Sequence, residues 1–294
     1  MEYNKILHGD VTQKAHELEK ESIQTIITSP PYFGLRKYSK NVSEVENEIG
    51  RETDVQVYVD HLVQVFENLK PSLKTTATIW VNLGDSYVKG NLQGVPWRFA
   101  IEMQNKGWIL RSDIIWHKPN AMPSSVKNRP TTDHEYIFLF TLSEKNYYYN
   151  ADAIREEHVT FSEKSKMKGG RNHIGKKGGT PEKGKNSGNL NLHDGRWDQA
   201  FHPLGRNKRT VWNIPLGKYK GAHFAVFPEK LVETCLLAAT KEGDIVLDPF
   251  FGAGTTGIVA LKHNRNYMGI ELVEEYVSLA NERLKNFKPQ LDLF

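Results

Sequence analysis

The chain has one cysteine, Cys235, among its 294 residues. A single cysteine cannot form an internal disulfide, so a disulfide framework is excluded and a reducing, cytoplasmic compartment is expected. Long apolar runs are scarce too, since none approaches the roughly 20 residues of a membrane-spanning helix. The opening Met-Glu-Tyr-Asn-Lys does not look like a signal peptide. We therefore expect a soluble protein without a membrane partner, long enough for one large domain with an insertion.

Positive charge is concentrated in one part of the chain, whose formal net charge is only +4. Residues 161–220 contain 14 Lys and Arg against 4 Asp and Glu, which leaves 25 basic and 31 acidic residues elsewhere. Much of this segment is rich in glycine and poor in aliphatic residues, so it cannot bury enough apolar surface to fold alone. An acidic body with one basic segment indicates a localised contact with a polyanion, although a solvated lysine-rich loop would have the same composition.

The hydrophobic pattern predicts strands alternating with helices at both ends of the chain. The predicted strands cover residues 4–11, 22–27, 75–83, 108–116, 134–142, 244–248 and 267–272. The predicted helices cover residues 55–69, 96–106, 255–263 and 273–287, and a further helix begins near Pro228. Such alternation is typical of a mostly parallel sheet that is covered by helices on both faces.

The second predicted strand runs into Ser29-Pro30-Pro31-Tyr32. Each proline fixes its own φ, lacks an N–H and pushes the preceding residue out of the helical region. The Ser29 hydroxyl and the Pro30 carbonyl are therefore held rigidly, with Tyr32 directly after them. Two acceptors and an aromatic face suit a flat ring that carries an amine. An ordinary Pro-Pro turn at the end of a strand is the alternative interpretation.

A second motif, Asp-Pro-Phe-Phe-Gly-Ala-Gly-Thr-Thr at residues 248–256, lies where a buried strand turns into a helix. Gly252 and Gly254 allow a sharp turn close to a ligand, whose polar groups would face the helix amides. Glu271, near the end of the next strand, has the position of an acidic side chain that binds ribose hydroxyls. The departure from Gly-x-Gly-x-x-Gly and the lack of a Lys-Ser/Thr pair argue against dinucleotides and triphosphates.

These motifs together resemble those of the amino-methylating DNA methyltransferases. Residues 29–32 are followed by a basic variable segment, by His-Phe-Ala-Val-Phe-Pro at 223–228, and then by 248–254 and Glu271. A catalytic motif that precedes the cofactor motif is the order of the permuted beta group. The resemblance covers nearly the whole chain apart from the basic segment.

The fold implied by the resemblance is a circularly permuted methyltransferase fold, α/β in class and Rossmann-like, with helices on both faces of a mostly parallel sheet. Residues 1–160 would form its catalytic half, residues 161–210 a basic target-recognition insertion, and residues 211–294 its cofactor-binding half.

The resemblance also implies a cofactor and a set of site residues. The methyl donor would be S-adenosylmethionine, with S-adenosylhomocysteine as product and no metal. The expected catalytic residues are Ser29, Pro30, Pro31 and Tyr32. The residues expected around the cofactor are Asp10, Phe227, Pro228, Asp248, Phe250, Gly252, Gly254, Thr255 and Glu271. The residues expected to contact double-stranded DNA are Arg36, Lys127, Arg129, Arg171, Lys176, Lys177, Arg206, Lys208 and Arg209.

The implied reaction is methylation of a base amine in duplex DNA, with the target base flipped out of the helix, as part of a restriction-modification system. In this family a motif that begins with Ser usually goes with the N4 amine of cytosine, and one that begins with Asp or Asn with the N6 amine of adenine. Ser29 therefore favours cytosine. Adenine remains the alternative, because both bases carry an amine beside a ring nitrogen.

Other classes of protein remain as alternatives. Methylation at carbon 5 of cytosine would need a cysteine nucleophile, whereas Cys235 lies on the apolar side of a predicted helix, where a thiol is inert. A non-catalytic DNA-binding regulator on the same scaffold, or a methyltransferase acting on RNA or protein glutamine, would share the fold. A cognate endonuclease is a candidate partner, and a monomer and a homodimer are both compatible with the sequence.

Overall fold

The computed structural model describes residues 2–34, 48–157, 204–217 and 227–287. The chain forms two compact units, one of Met1–Asn150 with Arg209–Phe294, the other of Ala151–Lys208. In the described part of the smaller unit, Glu156 and Arg206 form an antiparallel bridge. Most of the predicted insertion, residues 161–210, lies outside the described residues.

The described part of the larger unit contains ten strands and six α-helices. The strands are β1 (Lys5–His8), β2 (Ile23–Thr28), β3 (Leu73–Leu83), β4 (Tyr87–Val88), β5 (Asn91–Leu92), β6 (Ile109–His117), β7 (His134–Thr141), β8 (Val211–Asn213), β9 (Ile245–Asp248) and β10 (Asn266–Glu271). The helices are α1 (Val11–Lys14), α2 (Val55–Leu69), α3 (Val95–Asn105), α4 (Glu229–Ala239), α5 (Thr255–Lys262) and α6 (Glu274–Asn286). Short 3₁₀ turns cover Ala15–Glu17 and Lys70–Ser72 here, and Asp152–Ile154 in the smaller unit.

Eight of these strands form one sheet in the order β1-β10-β9-β2-β3-β7-β6-β8, and β4 pairs with β5 in a separate hairpin. Neighbouring strands are parallel except around β7, which runs antiparallel to β3 and β6. The predicted α/β class, with a mostly parallel sheet, is confirmed. Among the helices of the described ranges, none has the length and apolar character that a bilayer crossing demands.

The strand order reverses between β9 and β2. The chain passes from β2 to β3 on one side, and from β9 to β10 on the other. Loops that leave the carboxyl ends of two such strands diverge and open a crevice between them. The two strands pair directly, with Thr25 opposite Val246 and Ile26 opposite Leu247. This pairing brings the loops after Thr28 and Asp248 together, although 220 positions separate them in the chain.

Helix α2 packs in one hydrophobic core with β2 and β3 and holds the loop that follows β2. The helix begins at Asp54, whose carboxylate caps the backbone N–H groups of Gln56 and Val57 at 2.7 and 3.1 Å. Its buried face includes Tyr58, which has no exposed surface. The Tyr58 hydroxyl donates to the Pro31 carbonyl at 2.8 Å. The helix therefore stabilises the double-proline turn as well as the core.

The prediction for the first strand was wrong at the carboxyl end. The strand ends at His8 and does not continue to Val11. Asp10 accepts hydrogen bonds from the backbone N–H groups of Thr12 and Gln13, at 2.9 and 3.3 Å, and so begins α1. Asp is a strong N-cap, and four residues are too few to give a helical pattern in sequence. The hairpin of β4 and β5 and the short strand β8 were not predicted either.

Gly269 makes room for Phe251, which anchors the loop after β9. The Phe251 ring stacks on Tyr267, with ring centroids 5.5 Å apart and planes 16° apart. A Cβ atom added at Gly269 would lie only 2.5 Å from Phe251 Cγ. The loop can keep this position only while residue 269 has no side chain.

We expect Gly269→Ala to lower the free energy of unfolding by about 1–3 kcal/mol, the usual cost of overpacking a filled interior. Gly217→Ala is the matched control, because a Cβ atom at that position meets no atom of the described residues within 4 Å. Urea denaturation of both variants and the parent chain measures the difference. Equal stability of the two variants would show that the Phe251 ring moves aside freely.

Candidate active site

A cavity of about 410 Å³ lies in the larger unit at the carboxyl ends of β1, β2, β9 and β10. Most of the residues predicted for the catalytic and cofactor sites line it: Asp10, Ser29, Pro30, Pro31, Tyr32, Phe227, Asp248, Phe250, Gly252, Thr255 and Glu271. The sequence motifs that were separated along the chain therefore share one cavity. Pro228 and Gly254 are not among the lining residues.

Gly254 and Pro228 do not line the cavity but lie at the starts of two helices beside it. Gly254 has a φ of +80° and begins α5, and a Cβ atom there would lie 3.1 Å from the Cβ of Ala280 and 3.2 Å from the Phe251 ring. The absence of a side chain at Gly254 therefore allows close packing against Ala280 and Phe251, and it also allows the left-handed backbone conformation. Pro228 is buried and precedes α4, where its carbonyl accepts the N–H of Leu231 at 2.9 Å.

Asp248 ends β9 with a buried carboxylate that three donors surround. Thr28 Oγ1 donates to Oδ1 and Thr256 Oγ1 to Oδ2, each at 2.7 Å, and the Phe250 N–H donates to Oδ1 at 3.1 Å. Burial nevertheless dominates and raises the pKa of Asp248 from 3.8 to about 7, and the nearby Glu271 carboxylate also raises it. The donors fix the carboxylate at the bottom of the crevice.

Glu271 ends β10 and binds the glycine loop of β9. Its Oε2 accepts the Gly252 N–H at 2.7 Å and its Oε1 accepts the Val273 N–H at 2.8 Å. Burial raises the pKa of Glu271 as well. Each carboxylate oxygen has a second lone pair, so these bonds leave acceptor capacity for hydroxyl groups of a ligand. Gly252 has a φ of +51°, and among the described residues a Cβ atom there would meet only the Phe250 carbonyl, at 3.9 Å. The described part of the chain therefore leaves the space beside Gly252 open.

Asp10 lines the cavity and is also the N-cap of α1. All the hydrogen bonds recorded for its carboxylate in the described part of the chain end on Oδ1, including one from Thr12 Oγ1. Oδ2 is thus the oxygen that could meet a ligand, so capping and ligand binding are compatible at this residue.

The double-proline loop places polar groups of Ser29 and Tyr32 beside each other. Ser29 Oγ lies 3.3 Å from Tyr32 Oη. The Tyr32 hydroxyl donates to Glu135 Oε2 at 2.6 Å. A Cβ atom at Gly84 would lie 2.7 Å from Tyr32 Cε2, so the backbone of Gly84 packs directly against the tyrosine ring. The tyrosine is therefore held through both its hydroxyl and its ring.

Three polar residues that the sequence analysis missed complete this side of the cavity: Asn82, Lys118 and Glu135. Asn82 Nδ2 lies 2.7 Å from Tyr32 Oη, 2.7 Å from Glu135 Oε2 and 3.2 Å from Ser29 Oγ. Asn82 Oδ1 is buried and has no hydrogen-bond partner within the described ranges. Lys118 Nζ donates to Glu135 Oε1. A polar residue inside an apolar strand, as Asn82 is in β3, is the signal that would have found this group.

Some of the residues predicted to contact DNA lie outside the described residues, and the others are divided between the two units. Arg36, Arg171, Lys176 and Lys177 lie outside the described residues. In the larger unit, Lys127 and Arg209 are exposed, and the guanidinium carbon of Arg129 lies 3.5 Å from the centre of the Tyr87 ring. In the smaller unit, Arg206 and Lys208 both pair with Glu156, at 3.3 and 3.5 Å.

Comparison with known proteins identifies the family to which this chain belongs. Residues 23–282 match the family model of the N6/N4 DNA methylases, and the chain belongs to this family. The chain is 39% identical to the type II methyltransferase M.Cfr9I of Citrobacter freundii, over 95% of this chain and 87% of that protein. It is 38% identical to the type II methyltransferase M.SmaI of Serratia marcescens, over 95% and 90% of the two chains.

Solved structures show the same fold. The cytosine-N4-specific PvuII DNA methyltransferase matches with a TM-score of 0.67 and 20% identity, over 98% of this chain and 93% of that one. A protein of Thermus thermophilus described as a DNA modification methylase, solved with S-adenosyl-L-methionine, matches with a TM-score of 0.57 and 22% identity, over 95% and 92%. The predicted methyltransferase fold is confirmed.

The raised pKa of Asp248 predicts a pH-dependent stability of the ligand-free protein. Between about pH 4 and pH 7 the folded chain keeps a proton that the unfolded chain has lost, so this residue makes the free energy of unfolding fall as pH rises through that window. Asp248→Asn cannot titrate. Between about pH 4 and pH 7, we expect the free energy of unfolding of this variant to fall by about 1–4 kcal/mol less than that of the parent chain. Urea denaturation across the window measures both chains, and equal losses would show that Asp248 is ionised throughout.

Proposed function

We propose that this protein is a type II DNA methyltransferase of a restriction-modification system, which transfers the methyl group of S-adenosylmethionine to the N4 amine of cytosine in double-stranded DNA. The observation that carries the proposal is that Ser29 to Tyr32 share one cavity with Asp248, Gly252 and Glu271. One part of this cavity suits an adenosine and the other a flat base with an amine. The type II methyltransferases that the chain resembles over 95% of its length support the same activity.

The cofactor half of the cavity fits the donor. Glu271 provides acceptors for ribose hydroxyls, Gly252 lets the ligand come close to the backbone, and Phe250 and Phe227 provide apolar surface. The buried carboxylates of Asp248 and Glu271 also suit a cationic ligand. When bound, the sulfonium group supplies a methyl group that is already activated. The protein therefore needs only to position the amine that accepts it.

Ser29 and Pro30 provide the acceptors for that amine. An exocyclic amine is a poor nucleophile because its lone pair is delocalised into the ring. Acceptors at Ser29 Oγ and at the Pro30 carbonyl hold the amine hydrogens so that the lone pair turns towards the methyl group, a preorganised arrangement that needs no reorganisation during the reaction. Tyr32, between the Gly84 backbone and the cavity, provides a ring on which the base stacks.

A base inside a duplex must leave the stack to enter this cavity, at a cost of roughly a few kcal/mol. Contacts to the DNA backbone offset that cost. We assign them to the basic insertion at residues 161–210, which includes the exposed Arg209, and to Lys127 and Arg129. In this arrangement residues 1–160 position the base and residues 211–294 provide most of the donor site.

Cytosine is proposed as the target because the motif begins with Ser29. A serine is smaller than Asp or Asn and offers a single oxygen, which can donate as well as accept. The test is to incubate plasmid DNA with the purified protein and S-adenosylmethionine, digest it to nucleosides and separate these by mass spectrometry. N4-methylcytosine is the expected product. N6-methyladenine as the main product would overturn the choice of base, and unmodified DNA would overturn the activity.

The cofactor assignment predicts that Gly252→Val weakens binding of S-adenosylmethionine by more than about tenfold, because the new side chain enters space beside the donor and the left-handed backbone disfavours it. Ser29→Ala is the matched control. It lies in the same cavity but faces the base, so the affinity for the donor should change less than about threefold while methyl transfer is lost. Calorimetric titration measures both affinities. An unchanged affinity for Gly252→Val would place the donor elsewhere.

A further inference from the structure

The Ser29 hydroxyl is the first of a series of polar groups that leads to an ion pair with little exposure to solvent. Ser29 Oγ contacts Tyr32 Oη at 3.3 Å, and the Tyr32 hydroxyl donates to Glu135 Oε2 at 2.6 Å. The other oxygen of Glu135 accepts a hydrogen bond from Lys118 Nζ. The side chains of Lys118 and Glu135 are only 15% and 14% exposed. The Ser29 hydroxyl, the Tyr32 hydroxyl and the Glu135 carboxylate thus form a continuous chain of contacts.

The hydrogen-bond count fixes the direction of this series. A hydroxyl has one proton and two lone pairs. The proton of Tyr32 goes to Glu135, so the contact between the two hydroxyls must use the proton of Ser29. One lone pair of Ser29 faces Asn82 Nδ2 at 3.2 Å, although the two hydrogens of that amide have nearer acceptors in Tyr32 Oη and Glu135 Oε2, each at 2.7 Å. The remaining lone pair is free to accept a hydrogen from a bound amine.

Methylation of an amine leaves a proton to be removed. A nitrogen–carbon bond forms as the sulfur–carbon bond breaks, so the positive charge passes from the sulfonium to the amine nitrogen, which must then lose one hydrogen as a proton. Serine is too weak a base to keep that proton. The site therefore needs a terminal acceptor that Ser29 can reach.

We propose that Glu135 accepts the proton released by the methylated amine, through a relay in which Ser29 and Tyr32 each take up one proton and pass on another. This inference rests on the proposed function. The amine proton goes to Ser29 Oγ, the Ser29 proton to Tyr32 Oη, and the Tyr32 proton to Glu135 Oε2. No co-reactant is required, and the site keeps its total charge until the proton leaves to solvent.

Two features of the surroundings favour a relay over a stable tyrosinate. Burial, followed by the charge of Glu135, raises the pKa of Tyr32 well above its ordinary value of 10. The hydroxyl therefore gives up its proton only as it receives another. Lys118 lies 4.6 Å from the centre of the Trp116 ring and pairs with Glu135, so it compensates the charge of a carboxylate that has little contact with water.

The test separates the tyrosine ring from its hydroxyl. Tyr32→Phe keeps the ring for stacking, and Glu135→Gln keeps the shape of the side chain. We expect each to slow single-turnover methyl transfer about 100-fold, as loss of a general base does, with the affinities for donor and DNA changed less than about threefold. Because both act on one path, the double variant should be within about threefold of the slower single variant.

Added formate provides a readout that a structural role would not change. At constant pH, formate should increase the rate of Glu135→Ala, in which it can take the place of the carboxylate, and leave the parent rate unchanged. Tyr149→Phe and Glu233→Gln make the same chemical changes outside the cavity and should retain the parent rate. Thermal unfolding of every variant shows whether its fold is retained.

The outcomes distinguish the relay from the activity itself. A Tyr32→Phe variant with the parent rate would show that the tyrosine acts through its ring alone and would overturn the relay. So would a Glu135→Gln variant whose rate falls only in step with its stability or donor affinity. If the parent chain transfers no methyl group to DNA, the proposed function fails and the relay fails with it.

Discussion

The hydrogen bond from Thr28 Oγ1 to Asp248 Oδ1 joins the two halves of the site. Each residue is the last of its strand, and the next residue begins a loop that lines the cavity. Because β2 and β9 are neighbours at the point where the strand order reverses, both loops start from one place and turn to opposite sides of one crevice. The loop after β2 is therefore positioned against the loop after β9 by backbone pairing, although most of the chain separates them.

Keeping a carboxylate at this position costs stability. Asp248 has three hydrogen-bond donors, yet burial still raises its pKa to about 7. Glu271 and Glu135 are also poorly exposed, and in the described part of the chain only Glu135 is paired with a lysine. Functional sites commonly depart from the rule that buried groups should be apolar, because a preorganised charge is more useful there than a stable one. A cationic donor beside Asp248 and Glu271 would recover part of this cost on binding.

Much of the fold could be predicted from sequence, because apolar strands and capped helices leave strong local patterns. The Ser-Pro-Pro-Tyr and Asp-Pro-Phe-Phe-Gly motifs lie at the ends of two such strands. That Ser29 and Asp248 line one cavity was therefore predictable. Asp10 was expected at the cofactor, and its further role as a helix cap comes from contacts over only three residues. Asn82 and Glu135 were missed because they meet Tyr32 through the pairing of β3 with β7. The polar Asn82 inside an apolar strand is a local sign of a buried polar contact, but it does not identify the partners of that contact.

The central claim is that one cavity holds the donor on the side of Glu271 and the base amine on the side of Ser29. A crystal structure of the protein with sinefungin, an unreactive analogue of the donor, and a duplex that contains the target sequence tests it most directly. The account predicts the ribose hydroxyls at Glu271, and a flipped base whose amine lies within hydrogen-bond distance of Ser29 Oγ and the Pro30 carbonyl. An analogue bound away from Gly252, or an amine held by other residues, would contradict it.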